Sequence, residues 1–552
     1  MNKITILVFL ISVFFLSFLP VKDTDFGWHY RCGNQFLTTG KLCLKNEFSY
    51  FLPNYKAYNP SFLYDITLAF VYNHFGFLGV SFLGALISTL SAIFILKLFS
   101  CSTWLRIVVF YLIFWLSYST FGLGLRSQMV SYLFFVITFF VLTKKSVENR
   151  NWLNREWRIV IENRKKKLEN QFPISVLLPF LFLIWVNTHI GFFLGPILLG
   201  IFAVSNLSIS FLRKQESSNS GSLIKLEEKP PRLDTINNDK TSEVNQVYGQ
   251  PSGLSLQLFG FVTFNFLAAF LNPFGPKVYL EILRHFQAPL NTMIAEWVAP
   301  SFWQKVLIII SAMVGFVINV GVDQRVDPKR GRHIGLPLQN KSRLFNILLL
   351  LFFTLLALQA RRNLPFFYTI FFYVFLQYSK FSNDRYQKWN DLIISFLLSI
   401  FVISFSLPSM PATIRFDISW NDYCQKSLIT YPCQALEKTN LKQLSGNLYT
   451  AYEWGGFLIW QTPDLKVFTD GRMSAWKSEK EPYPGSGQYS YQVYLYIIQA
   501  RKGWQEILKK YQTDYLLIGN GTFLDLELQK NAAKYGWKEN YRDEVAVFYK
   551  KN

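Results

Sequence analysis

A chain of 552 residues that is 51% hydrophobic and 18% aromatic is too apolar along its length to be a set of water-soluble domains. Its formal charge of +21 invites nucleic acid as a partner. The basic residues, however, gather in blocks between apolar runs and not along an aromatic-studded surface, so they read as membrane-orientation signals and nucleic acid is set aside.

The first apolar run, Ile4 to Pro20, follows Lys3 and precedes no small-residue cleavage pattern; it reads as an uncleaved first span with a cytoplasmic N-terminus. Residues 21–76 then form a first outer loop. Within it, Tyr64 to Phe75 contains Asp65, stops at Gly76 and is too short to cross a bilayer, so it suits a helix lying in the headgroups. Further runs of spanning length begin near Leu78, Leu105, Met129, Ile174, Phe192, Leu254, Val306, Phe345, Pro365 and Leu392, the last ending at Leu407. The expected fold is an α-helical polytopic membrane domain over residues 1–408, with about eleven transmembrane helices.

The charged loops test that count. Lys144 to Gln171, the stretch after Val322, and the region of Lys380, Arg385 and Lys388 are all basic. An eleven-span order puts all three in the cytoplasm, whereas counting Tyr64 to Phe75 as another span would put them outside. Residues 213–253 are polar and proline-containing, which predicts a flexible cytoplasmic loop. Residues 409–552 lack spanning runs and read as a separate extracytoplasmic soluble α/β domain. Its strand-like runs are Phe457 to Trp460, Val467 to Thr469, Tyr515 to Ile518 and Val545 to Tyr549; its helical runs are Tyr494 to Tyr511 and Leu524 to Tyr535.

By this topology Cys32 and Cys43 share the first outer loop, Cys424 and Cys433 share the start of the outer domain, and Cys101 stands alone on the cytoplasmic side. Two disulfides or four free thiols both fit that arrangement, and the absence of companion histidines argues against zinc.

The chemistry concentrates at the outer ends of spans, where charge beside hydrocarbon is costly without a function. Asp23, Asp25, Trp28, His29 and Glu47 lie in the first loop. Arg126 precedes a span, Asn187 and His189 end one, Asn272, Glu296 and Trp297 follow another, and Arg361, Arg362 and Asn363 lie between two more. A carboxylate can deprotonate an incoming hydroxyl while guanidinium groups stabilise a departing phosphate. Simpler roles compete. Asp23 and Asp25 could cap a helix, Arg126 and Arg362 could anchor in headgroups, and Trp28 and Trp297 could belong to an interfacial belt. Asp470-Gly471-Arg472 and Gly455-Gly456 read as turns outside any catalytic site.

The stretch from Asp23-Thr24-Asp25 through Trp28-His29 to Phe48-Ser49-Tyr50 resembles the first outer loop of bacterial membrane proteins with a GT-C glycosyltransferase fold. Asn187-Thr188-His189-Ile190-Gly191, Leu271-Asn272-Pro273-Phe274-Gly275, Glu296-Trp297, Arg362-Asn363-Leu364-Pro365, Trp454-Gly455-Gly456 and Asp470-Gly471-Arg472 match that group in order. The resemblance implies an inverting transferase at the outer face of the plasma membrane that uses a polyprenyl-phosphate-linked sugar, as protein mannosyltransferases and lipid A aminoarabinose transferases do. Asp25 would activate an acceptor hydroxyl on a protein, lipid or glycan, and Asp23 would share that role or bind a divalent metal. Arg126, Arg361 and Arg362 would hold the donor phosphate. Trp28, His29, Glu47, His189, Glu296 and Trp297 would contact sugar or acceptor, or support those that do. The competing classes are a transporter or lipid-linked-glycan flippase, which predicts ionisable residues near mid-span, a ligase moving a whole glycan, and a non-catalytic assembly partner.

Overall fold

The computed structural model describes residues 3–117, 121–122, 124–148, 177–206, 262–268, 270–290, 297–321, 341–378 and 430–552, with isolated positions between the last two segments. The basic loop after Lys144 to Gln171, the loop after Val322, the region of Lys380 to Lys388, residues 213–253, most of the Leu392 to Leu407 run and Glu296 lie largely or wholly outside the described residues.

Helix α1 (Lys3–Ser17) is followed by α2 (Phe26–Thr39), α3 (Phe62–Leu98), α4 (Thr103–Leu116), α5 (Ser127–Glu148) and α6 (Leu177–Val186). Then come α7 (Val278–Gln287), α8 (Phe302–Gly321), α9 (Lys341–Gln359) and α10 (Leu364–Tyr378). Among the described residues, two helices are long and apolar enough to cross a membrane, Phe62–Leu98 and Phe302–Val320. Five further apolar helical runs are shorter, including Ile4–Ser17 and Ser127–Thr143. Large apolar side chains nevertheless cover helix exteriors. Phe82, Leu86 and Leu90 are exposed one turn apart along α3, and Ile309, Ile310, Met313, Phe316 and Val317 are exposed along α8.

Gly76 divides α3. Its φ of 58° and ψ of −154° are non-helical, and a glycine tolerates that conformation where a side chain would not. The break falls where the sequence separates the short Asp65-bearing stretch from the long apolar one.

Helix α2 buries Phe26, Trp28, His29 and Cys32, one face of a helical repeat, and ends at Gly40, whose left-handed backbone returns its N–H to the Phe36 carbonyl. Two glycines let it sit flush between neighbours. A Cβ on Gly33 would run into the Asp65 carbonyl of α3, and one on Gly27 would run into the Gly456 carbonyl. Cys32 and Cys43 are disulfide-bonded, as are Cys424 and Cys433, while Cys101 belongs to neither disulfide.

Residues 446–551 supply a five-stranded mixed sheet in the order β2-β1-β3-β5-β4, formed by β1 (Gly446–Thr450), β2 (Leu465–Val467), β3 (Tyr515–Gly519), β4 (Trp537–Arg542) and β5 (Ala546–Lys551). The β2-β1-β3 side is parallel and the β3-β5-β4 side antiparallel. The first loop docks on the β2 edge. Val467 N–H donates to the Phe48 carbonyl at 3.0 Å, and Tyr50 N–H donates to the Val467 carbonyl at 3.1 Å. Tyr50 and Phe51 then enter the aromatic core with Tyr449 and Phe468.

Two local expectations are corrected. Phe457 to Trp460, read as a strand, belongs to helix α11 (Gly455–Gln461). It is buried almost throughout, and a four-residue apolar run does not distinguish a core strand from a core helix. Tyr494 to Tyr511, read as one helix, is two, Ser490–Ile498 and Trp504–Lys510, separated where Ala500 and Gly503 adopt positive φ. Strands β1 and β4 lie outside the runs expected from sequence.

Candidate active site

The first-loop cluster lines a chamber of ≈ 190 Å³ whose wall also includes Arg126, His189, Glu281, His285, Trp297 and Arg362. From the C-terminal region come Tyr452, Gly471, Arg472 and Trp476. A second, mainly apolar chamber of ≈ 220 Å³ adjoins it, lined by Tyr132, Phe193, Leu194, Ile282, Phe286, Leu290, Leu356 and Phe366. Gln128, His189, Ile190, His285, Trp297 and Arg362 line both chambers.

The two first-loop carboxylates have different surroundings. Asp23 is 3% exposed and accepts a 3.0 Å hydrogen bond from Arg126 Nε, in an ion pair buried on both sides. Asp25 occupies the N-cap position of α2 but makes no side-chain capping bond. Its carboxylate instead accepts from the Trp28 indole N–H at 3.0 Å. Burial raises the Asp25 pKa to about 6, and the neighbouring Asp23 charge adds to that; His29, Trp28 and Arg126 oppose it. Capping alone therefore does not explain Asp25.

One turn later on α2, the His29 ring stacks on Trp28 with centroids 3.5 Å apart, and its Nδ1 pairs with the buried Asp65 carboxylate. Asp65 also accepts from Asn59 Nδ2 at 3.1 Å. His189 is set the opposite way. Its Nδ1 accepts the Gly191 N–H at 3.0 Å and lies 2.7 Å from Ser131 Oγ, which itself accepts from Trp185 Nε1. An accepting Nδ1 makes the imidazole neutral, with its proton on Nε2.

At the junction of the chambers the Arg362 guanidinium lies 4.3 Å from the centre of the Trp297 ring. Glu281 and His285, one turn apart on α7, line the chamber below; Glu281 pairs with Arg284 at 2.9 Å. Burial lowers the His285 pKa, and Arg362 and Arg284 lower it further against the opposing effect of Glu281.

The opposite wall is built by the C-terminal region. Arg472 holds Asp470 through two bonds, 2.8 Å from Nε and 2.7 Å from Nη2, and Ser49 Oγ donates to Asp470 at 2.5 Å. Burial pushes the Asp470 carboxyl up, but Arg472 and these hydrogen bonds outweigh it and hold the pKa below the usual range. Gly471 lies against Asp25 so closely that a Cβ there would overlap the carboxylate. The triplet that reads as a remote turn thus forms part of the wall.

Of the residues singled out from sequence, Asp23, Asp25, Trp28, His29, Arg126, His189, Trp297 and Arg362 come together here. Glu47 is exposed and lines neither chamber. Arg361 also lines neither; its backbone N–H donates to the Val298 carbonyl. Glu296 is outside the described residues. Glu281 and His285 escaped sequence reading, although their i, i+4 spacing shortly after Asn272-Pro273-Phe274-Gly275 is a usable signal. Asp65 was visible as an acid within an apolar stretch but had no partner until the fold supplied His29. Among the described residues no group of three or more His, Cys, Asp or Glu side chains is placed to hold a metal ion, and Asp23 is committed to Arg126.

No protein-family model matches the sequence, and no curated protein is significantly similar to it. Among solved structures, the chain is similar to the archaeal oligosaccharyltransferase AglB from Archaeoglobus fulgidus in complex with an inhibitory peptide and a dolichol-phosphate. The TM-score is 0.51 at 10% identity, covering 100% of this chain and 74% of that one. The apo crystal structure of the oligosaccharyltransferase from the same organism gives a TM-score of 0.49 at 10% identity, covering 100% and 75%. The likeness to AglB is one of overall fold.

Proposed function

We propose that this chain is a membrane glycosyltransferase that moves a sugar, or a glycan built on one, from a polyprenyl-phosphate donor to an acceptor hydroxyl. The observation that carries the reading is the pair of adjoining chambers. One is polar and acid-bearing, the other apolar, and Arg362 lies in the wall they share. A lipid-linked sugar phosphate has the same division: hydrocarbon at one end, sugar at the other, and an anion between them. The dolichol-phosphate and peptide in the AglB complex are in keeping with a lipid-linked donor, and they make a peptide one acceptor class to try first.

In this reading residues 1–408 hold the donor in the bilayer, and residues 409–552 stand outside the membrane and close the chamber. The apolar exteriors of α3 and α8 support a lipid surround. Asp25 acts as base. It removes the acceptor proton as the acceptor oxygen bonds to the anomeric carbon, and the bond from that carbon to the phosphate oxygen breaks with inversion. Arg362 stabilises the departing phosphate, stacked on Trp297 so that its plane is preset. Asp23 orients Arg126 at the same wall and is not the base, since its carboxylate is already engaged by the guanidinium. Trp28 fixes the Asp25 carboxylate through its indole N–H.

The test is release of polyprenyl phosphate from a panel of polyprenyl-phosphate hexoses by the purified protein in detergent, with peptide, lipid and glycan acceptors. Wild type should release the lipid phosphate in an acceptor-dependent manner, and Asp25→Asn should not while still retaining polyprenyl phosphate in native mass spectrometry. A folded Asp25→Asn protein with full transfer would remove Asp25 from the role of base.

A further inference from the structure

We propose that His29, oriented by Asp65, is a second proton-handling group of this site, taking from Asp25 the proton that Asp25 removes from the acceptor. The inference rests on the transferase reading above and adds a residue pair to it. Asp25 at the N-cap and His29 four positions on are one turn apart on the same face of α2, linked by the His29 N–H donating to the Asp25 carbonyl at 3.2 Å. Both line the polar chamber.

The imidazole is held for this role. Its Nδ1 is engaged by the Asp65 carboxylate, which comes from a different helix and is itself oriented by Asn59. A carboxylate at Nδ1 keeps the proton on that nitrogen, leaves Nε2 as the basic atom, and stabilises the imidazolium when Nε2 is protonated. Trp28 lies over the ring and also bonds Asp25, so one indole fixes the relative position of the two groups. The contrast with His189 is informative. There Nδ1 accepts from Gly191, which sets a neutral, donating imidazole, so only His29 among these two is arranged to gain a proton.

The step balances. The acceptor O–H proton passes to the Asp25 carboxylate as the new C–O bond forms and the phosphate leaves with the electron pair of the broken bond. The proton then moves to His29 Nε2, returning Asp25 to its ionised form, and leaves from the imidazolium to water. The charged and titratable groups around His29 are Asp23 and Asp25 from its own segment, Tyr64 and Asp65 from α3, Arg126, His189 and, across the chamber, Arg472. Arg126 is paired with Asp23 and Arg472 with Asp470, so Asp65 is the group that engages the ring directly; burial raises its pKa, against the opposing effect of His29 and Asn59.

The experiment uses the full chain in detergent, with polyprenyl-phosphate hexose turnover and polyprenyl monophosphate binding measured in parallel. His29→Ala is expected to lower kcat about a hundredfold with binding retained, and added imidazole should restore turnover in proportion to its free-base concentration. Asp65→Asn should lower kcat without raising KM and should displace the acidic limb of the pH–rate profile, an effect that a loss of packing does not produce. Unchanged kcat in His29→Ala, or a reduced kcat that imidazole does not raise while lipid binding and thermal stability match wild type, would overturn the proposal. If wild type itself turns over no donor, the transferase reading fails; if wild type turns over and His29→Ala is unaffected, only this inference fails.

Discussion

Two buried acids lie at one chamber, Asp25 in its lining and Asp470 bonded to the Arg472 that lines it, and their protonation is set in opposite directions. Asp470, fully buried in the C-terminal region, is clamped by Arg472 and Ser49 and held ionised. Asp25, in the wall supplied by the first loop, has an indole N–H as its bonded partner, a carboxylate neighbour, and a pKa raised to about 6. The difference separates structure from chemistry. A carboxylate matched with a guanidinium is spent on holding a wall together, whereas one left with weak partners in a polar chamber is poised to exchange a proton near neutral pH.

Removing each charge in turn separates the two roles. Asp25→Asn should reduce transfer by about a thousandfold while leaving the melting temperature at pH 7.5 unchanged or raised, because an unfavourable buried charge is lost. Asp470→Asn should do the reverse to stability. It strands a nearly buried Arg472 and should cost about 3 kcal/mol, read as a fall in Tm. If Asp470→Asn were as stable as wild type and Asp25→Asn strongly destabilised, the assignment of roles would be inverted.

Arg362→Ala should come next, weakening donor use about a hundredfold in kcat/KM, with Arg362→Lys only partly restoring it because a compact ammonium does not reproduce the planar stack on Trp297. Gly471→Ala tests the contact between the two walls. Its Cβ would displace the Asp25 carboxylate, and about a tenfold loss of kcat is expected with the pair Asp470–Arg472 still formed.

The pH dependence follows from the sign of the Asp25 shift. As a base it must be ionised, so transfer should fall about tenfold per unit below pH 6. For stability the order is reversed. The folded state prefers protonated Asp25, so that contribution is present below the unfolded carboxylate value and is lost as pH rises through about 6. The Tm advantage of Asp25→Asn over wild type should therefore be largest above pH 6 and shrink toward pH 4. Glu47→Ala, exposed and outside both chambers, should change kcat/KM by less than about twofold.

Some of this was legible without a fold. Long apolar runs point to a largely helical body because hydrophobicity is a local property of residues. The break at Gly76 reads from a glycine between two unlike helical stretches, and the crowding of Asp23, Asp25, Trp28 and His29 reads directly because these residues are adjacent in the chain. Arg126, His189 and Arg362 could be shortlisted as polar residues at the ends of apolar runs. What sequence could not supply was pairing. Asp23 and Asp25 look equivalent two positions apart, and only the arrival of Arg126, 103 residues away, makes one an ion-pair partner and leaves the other beside an indole. Asp65 meets His29, and Phe48-Ser49-Tyr50 meets the β2 edge, through contacts no local pattern encodes. Asp470-Gly471-Arg472 reads as a turn because it is one. That the turn lies against Asp25 depends on packing Gly456 into α2, a close approach decided by the whole fold. Local hydrophobicity and spacing set which segments exist and which residues could react, while burial and long-range pairing decide which of those residues carries a perturbed proton.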